Sequence, residues 1–245
     1  MKAGKARAFV FLAGMLMVSG TAFAADVTTA VDVNSAYVWR GITFNDGLVV
    51  QPSLDVVSGG FGLNIWGNLD VGDYNNTLDS GKFSEVDLTA RYSLQAGPVG
   101  LTGGYIEYLF PATDSGGAEA TREFFLDASV KPLEGVTTGL ASYYDVGQIH
   151  SYYLNPYVGY GMDIGSGVHM NLRAAAGYAG KDFVTAYGGQ QSGFFDYNLS
   201  LALGYSIAKN VSVTGRLGYA DSINRNVLPE QDVNFYGGVG AAVTF

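Results

Sequence analysis

The chain has 245 residues, 13 basic and 22 acidic side chains, a formal charge of −9 and no cysteine. This balance argues against phosphate-driven nucleic-acid binding, and the missing thiol excludes disulfides, thiolate metal sites and cysteine nucleophiles. With 35 glycines, 17 tyrosines and only 14% charged residues, the composition suits neither a disordered polyanion nor an ordinary helical domain.

The first predicted element is a secretory signal peptide over residues 1–24. Lys2, Lys5 and Arg7 precede an apolar run from Ala8 to Val18, and Ala22-Phe23-Ala24 supplies the small residues a signal peptidase needs. The run is shorter than the ~20 residues of a spanning helix. Cleavage after Ala24 removes three positive charges and leaves ten basic against 22 acidic residues, or −12. The mature chain, 25–245, contains no apolar stretch long enough for a transmembrane helix.

Beyond the signal peptide the chain alternates again and again with a period of two. The alternation predicts twelve strands, at 27–40, 48–58, 61–72, 83–96, 99–111, 122–131, 136–146, 151–163, 167–180, 194–207, 211–222 and 232–245. The last shows the pattern plainly: Val233, Phe235, Gly237, Val239, Ala241, Val243 and Phe245 share one face, and Asn234, Tyr236 and Thr244 fall on the other. Tight Gly/Pro/Asn turns at 58–60, 96–98, 131–135, 163–167 and 208–210 alternate with mostly longer polar links at 41–47, 73–82, 112–121, 181–193 and 223–231. An even strand count with short turns at one end and long loops at the other predicts an all-β fold: an antiparallel up-and-down outer-membrane barrel of about twelve strands.

Aromatics placed on the apolar faces form two predicted girdles at the membrane interfaces. Tyr37, Trp39, Tyr108, Phe195 and Phe235 fall near the long-loop end, and Phe61, Tyr92, Tyr160, Tyr205 and Phe245 near the short turns. With Tyr37 and Trp39 facing lipid, Arg40 turns into the interior near the outer mouth.

The stretch NSAYVWRGITFNDGLVVQPSLDV, Asn34 to Val56, resembles the opening of the TorF family of porin-like outer-membrane proteins, where an aromatic-x-Arg-Gly turn leads to a polar loop and a second strand. The resemblance covers the first hairpin, makes Arg40 and Gly41 the family-characteristic positions, and implies an outer-membrane, porin-like role without a substrate or catalytic residues. The closing Val243-Thr244-Phe245 resembles the C-terminal aromatic signal read by the barrel-assembly machinery.

Turning the polar faces inward spares each Arg or Lys the ~2–4 kcal/mol of midplane lipid exposure. It predicts a lumen lined by Asp32, Asp55, Asp70, Glu85, Asp87, Glu107, Glu123, Asp127 and Asp196, with Arg40, Arg91, Arg173, Arg216 and His169 among them. The excess of carboxylates favours cations or neutral polar solutes. The competing reading pairs the arginines with carboxylates in a closed interior, and long links such as 181–193 can fold inward as a plug.

Hydrolase chemistry finds little support. His150 lies near Asp145, Ser151 and Asp73, as in a rim site, but lacks flanking carboxylate pairs; His169 reads as a hydrogen-bonded filler. The Asp73, Asn75, Asn76 and Asp79 of the loop Gly72–Gly81 lack the bidentate glutamate of a dedicated calcium loop. The expected protein is therefore a channel for passive diffusion of small hydrophilic solutes. It is not an enzyme, needs no metal or cofactor and binds no nucleic acid. It sits in the outer membrane of a Gram-negative bacterium, in contact with its lipids, with self-association left open. The alternatives are a closed binding or structural barrel and, behind it, a barrel hydrolase.

Overall fold

The computed structural model describes residues 25–75, 78–111 and 118–245; the predicted signal peptide and most of the 112–121 link lie outside them. The chain runs through β1 (Asp26–Asn34), a short hairpin of β2 (Tyr37–Trp39) and β3 (Ile42–Asn45), then β4 (Val49–Ser58), β5 (Phe61–Asp70), β6 (Lys82–Ala96), β7 (Val99–Phe110) and β8 (Ala118–Leu133). It continues with β9 (Val136–Asp145), β10 (Tyr152–Gly165), β11 (Val168–Ala179), a six-residue helix α1 (Lys181–Ala186), β12 (Gly193–Ala208), β13 (Val211–Ser222) and β14 (Phe235–Thr244).

Twelve of these strands close into an antiparallel barrel, each paired to its sequence neighbour, with β1 sealing the ring between β14 and β4. Closure satisfies every strand edge, which an extended chain in hydrocarbon requires. Where the chain reverses between β4 and β5, Gly59 and Gly60 hold φ of +56° and +89°, the left-handed geometry that a two-residue hairpin turn demands.

The two faces separate cleanly. Leu63, Ile65, Leu126, Leu199, Leu217 and Val239 are exposed on the outer wall, and Tyr92, Tyr160, Tyr205, Phe235 and Phe245 share that exposure. On the inner face, polar side chains reach over one intervening strand. Arg91 of β6 meets Asp55 of β4 above Gly62 of β5, and Tyr157 of β10 meets Asp127 of β8 above Gly139 of β9. Tyr153 reaches Asp196 above Gly177, and Arg216 reaches Asp32 above Gly240. A Cβ at any of these glycines would collide with the side chains crossing it, so the small residues make room for inward polar pairs.

An arginine placed on the outer wall tests which side meets hydrocarbon. Leu199→Arg should lower unfolding free energy in lipid vesicles by about 2–4 kcal/mol. A loss under ~1 kcal/mol in a denaturant titration would put that face in water.

Three predicted positions need correction here. The first barrel strand ends at Asn34 instead of continuing to residue 40, because the chain leaves the wall after Ser35 and enters the lumen as β2–β3. Tyr37 and Trp39 therefore leave the predicted outer girdle: Tyr37 is buried and Trp39 packs against the interior apolar cluster. Phe195 also points inward and is fully buried. Its strand carries one extra residue against β11, where Ala176 faces Tyr197 but Tyr178 faces Phe194. This bulge turns Phe195 and Asp196 to the same side, while Phe194 takes the exposed position.

Candidate functional site

The lumen is divided. Its long-loop half is filled by β2–β3, α1 and the segment around Val227-Leu228, whose side chains form one buried cluster: Ile42, Tyr153, Ala179, Phe183, Val184, Phe195, Val227 and Leu228. Trp39, Phe44, Tyr143 and Tyr187 pack against it. The predicted capacity of the 181–193 link to fold inward is realised by α1, together with a hairpin whose alternation and polar tip predict a strand end and a solvent loop. Toward the short turns the interior is more open, and the Asp55–Arg91 and Asp32–Arg216 pairs are partly exposed. A cavity of about 250 Å³ beneath the hairpin is bordered by Asp32, Asn34, Tyr37, Gln51, Arg216 and Tyr236.

The hairpin turns at Arg40-Gly41, where successive φ values of +49° and +77° join the ladder partners Trp39 and Ile42. Gly41 fits because a Cβ there would lie 2.5 Å from the Cβ of Asp196. Arg40, as an L residue in the left-handed region, carries about 1–2 kcal/mol of strain. What holds it there is a specific receptor. Its Nη1 and Nη2 donate to the two Glu123 oxygens at 2.8 and 2.7 Å, and the two side chains are only 8% and 4% exposed. Four rings surround the guanidinium carbon, at 4.1 Å for Trp39, 4.2 Å for Tyr143, 4.6 Å for Tyr153 and 5.6 Å for Phe183. A desolvated cation over aromatic faces gains up to ~2 kcal/mol or more. Burial alone would lower the affinity of Arg40 for its proton, but Glu123 outweighs it and holds the guanidinium above its ordinary value. Burial likewise pushes the nearby Tyr187 phenol up.

Other contacts fix the hairpin along its length. Tyr37 donates its hydroxyl to Glu85 at 2.9 Å, and Asn45 donates to Asp70 at 2.6 Å. Thr43 accepts from the Val233 amide, and its own amide donates to Gln231. Among the described residues, the charged residues buried as a whole are all acids: Asp70, Glu85, Glu123, Asp145 and Asp196. One oxygen each of Asp70 and Asp87 is buried without a hydrogen-bond partner.

The predicted lining residues thus fall into two groups. Arg40, Glu85, Glu123 and Asp196 belong to the filled half and Asp87 adjoins it, whereas Asp32 with Arg216 and Asp55 with Arg91 lie in the more open half. Asp127 accepts from Tyr157, and Arg173 donates to Asn155 and lies 4.3 Å over the Tyr157 ring. Glu107 is corrected: it stands on the outer face beside Tyr105 and 3.5 Å from Arg122, while Tyr108, predicted to face lipid, is buried and donates to Glu123. The predicted β7 alternation is one residue out of phase, which exchanges the two faces. Tyr108, Tyr143, Tyr153 and Phe183 are the functional partners missed in the sequence; the Tyr153, Asn155, Tyr157 series on one face of β10 is the signal for one of them.

The rim arrangement considered for hydrolysis has another occupation. Asp145 accepts from the amides of Gly147, Ile149 and His150 and from the Thr121 hydroxyl. His169 pairs with Asp163 at the short-turn end. Among the described residues, no cluster of three or more metal-binding side chains is present.

Inward polar pairs, an apolar exterior and twelve closed strands define an outer-membrane type of β-barrel. No family model and no curated protein matches the chain, but solved structures do. It resembles the KdgM porin in complex with disordered oligogalacturonate, at TM-score 0.54 and 12% identity over 90% of this chain and 99% of that one. The NanC porin superposes at 0.52 with 13% identity, over 91% and 100%. The COG4313 outer membrane channel from Pseudomonas putida F1 gives 0.51 and 12%, over 93% and 100%. At these identities the shared property is the fold.

Proposed function

We propose that this chain is an outer-membrane channel of porin type for small hydrophilic solutes, exported by its signal peptide, and that its resemblance to the TorF opening reflects that role. The observation that carries the reading is the more open, charged half of the lumen, where the Asp55–Arg91 pair is partly exposed and the Asp32–Arg216 pair borders a cavity that continues up to the hairpin. The outer half is shut by β2–β3 and α1 in this state, so conduction requires the hairpin to move. Cations are favoured, because the buried acids around the constriction outnumber the one buried guanidinium of Arg40 and rings of carboxylates set cation selectivity. The oligogalacturonate seen with the KdgM porin is a polyanion, and an acid-rich interior disfavours it; its ligand is therefore not assigned to this chain. Phe245 serves the assembly machinery in this reading.

The apolar cluster inside the barrel supports a second reading, a permanently closed barrel with a structural or binding role. Planar-bilayer recording separates the two. The channel reading expects discrete current steps with cation preference, and Asp87→Asn combined with Asp127→Asn should reduce the cation-to-anion permeability ratio roughly twofold. Silence at all voltages, in the wild type and in a variant lacking the hairpin, establishes the closed barrel instead.

A further inference from the structure

The groups around Arg40 form a receptor whose present occupant is covalently tethered. Glu123 offers both oxygens to a planar fork at 2.8 and 2.7 Å, and Tyr143, Tyr153 and Phe183 present ring faces to the guanidinium carbon. All four come from the barrel wall or α1, so they stay behind if the hairpin leaves. Tyr108 orients Glu123 by donating to Oε2 at 2.8 Å. A bidentate carboxylate inside an aromatic box selects a planar guanidinium over a spherical cation, because only the fork matches both oxygens while its face stacks on rings.

We infer that this box is a binding site for guanidinium-bearing solutes, and that Arg40 is its built-in competitor. A soluble guanidinium compound that enters the box releases Arg40, frees the left-handed turn at its tip and loosens the hairpin that fills the outer lumen. The site itself depends only on the geometry around Glu123; its effect on current rests on the channel reading above. Because the competitor is tethered, the external ligand must exceed an effective concentration in the millimolar range. The wild-type site therefore responds weakly at concentrations that saturate a site with the arginine removed.

The test is a calorimetric titration of full-length protein in non-ionic micelles with guanidinium chloride, at ionic strength held constant by sodium chloride. Arg40→Ala should show saturable binding with a millimolar midpoint, and both the wild type and Arg40→Ala/Glu123→Gln should bind at least tenfold more weakly. Tetramethylammonium, which lacks the fork, should not compete. Equal heats in all three proteins, or equal competition by tetramethylammonium, would overturn the assignment. If Arg40→Ala does not assemble, the wild type decides in planar bilayers. Tens of millimolar guanidinium should raise its open probability several-fold where sodium does not, and no such rise refutes the competition. If wild-type and hairpin-less barrels are both silent, the channel reading has failed, and calorimetry on Arg40→Gln, which keeps a polar side chain on the turn, then decides the site.

Discussion

Glu123→Leu is expected to be the most damaging single substitution in the barrel interior, at about 3–5 kcal/mol, because it leaves a buried guanidinium without its counter-ion. Arg40 cannot escape the loss by giving up its proton, since an arginine stays charged in a protein, and its side chain is only 8% exposed. The four rings do not replace the carboxylate; they compensate part of the desolvation and accept no hydrogen bonds in the guanidinium plane. Arg40→Met should cost less, since Glu123 keeps Tyr108 as a donor and methionine can pack among Trp39, Tyr143 and Phe183. The double variant Arg40→Met/Glu123→Leu should recover most of the Glu123→Leu loss, as buried ion pairs replaced by apolar groups of similar volume are often neutral. A double-mutant cycle from urea titrations of barrels folded into vesicles measures the coupling. A Glu123→Leu effect below ~1 kcal/mol would mean that water reaches the pair.

The difference between what is legible in the chain and what is not tracks the range of the interactions. The barrel is legible because its signal is local: alternation within each strand and glycine-rich turns between strands. The twelve predicted segments match the twelve barrel strands, with the largest discrepancy at the first. There the alternation runs on unbroken through Tyr37 and Trp39, and nothing local distinguishes an interface tyrosine from one whose hydroxyl meets Glu85, 48 residues away. The pair Arg40-Gly41 between two aromatic-rich arms is a hairpin signal in its own right, and it marks a turn inside the predicted strand-to-loop junction. Phe194-Phe195 carries a comparable hint. Two adjacent aromatics cannot both sit on one face of a regular strand, so one must turn inward, and the bulge selects Phe195 for the interior.

The site is legible in kind more than in arrangement. Placing Asp32, Asp55, Arg91, Arg216, Glu85 and Glu123 inward requires only that ions avoid hydrocarbon. Which acid takes which base depends on reach across a strand and on the glycine beneath the crossing, as at Gly62 and Gly240. Those are properties of barrel curvature, absent from any one segment. Glu107 shows the cost of a phase error: the same alternation shifted by one residue exchanges it with Tyr108 and converts an exterior residue at the rim into a predicted lumen charge.

Removing the hairpin altogether should have the largest effect on transport. Asn34 and Val49 are ladder partners, so Ser35–Leu48 can be replaced by Asn-Gly, a two-residue turn that continues the β1–β4 ladder without disturbing the other strand pairings. The barrel wall should survive, because its closure depends on the twelve-strand ring and not on β2–β3. The interior loses more. Ile42 leaves the buried cluster, Phe183 loses Trp39, and Glu85, Asp70 and Glu123 lose Tyr37, Asn45 and Arg40 as partners. Water must then enter to solvate those carboxylates, since an unpaired buried charge costs several kcal/mol. The outer half becomes hydrated and acid-lined. Single-channel conductance should rise several-fold over the wild type, and cation preference should sharpen because Arg40, the cation paired with Glu123 in the constriction, has been removed. Retained β-sheet circular dichroism with unchanged conductance would show that α1 and the Val227-Leu228 segment close the lumen by themselves, and that the hairpin is filler rather than gate.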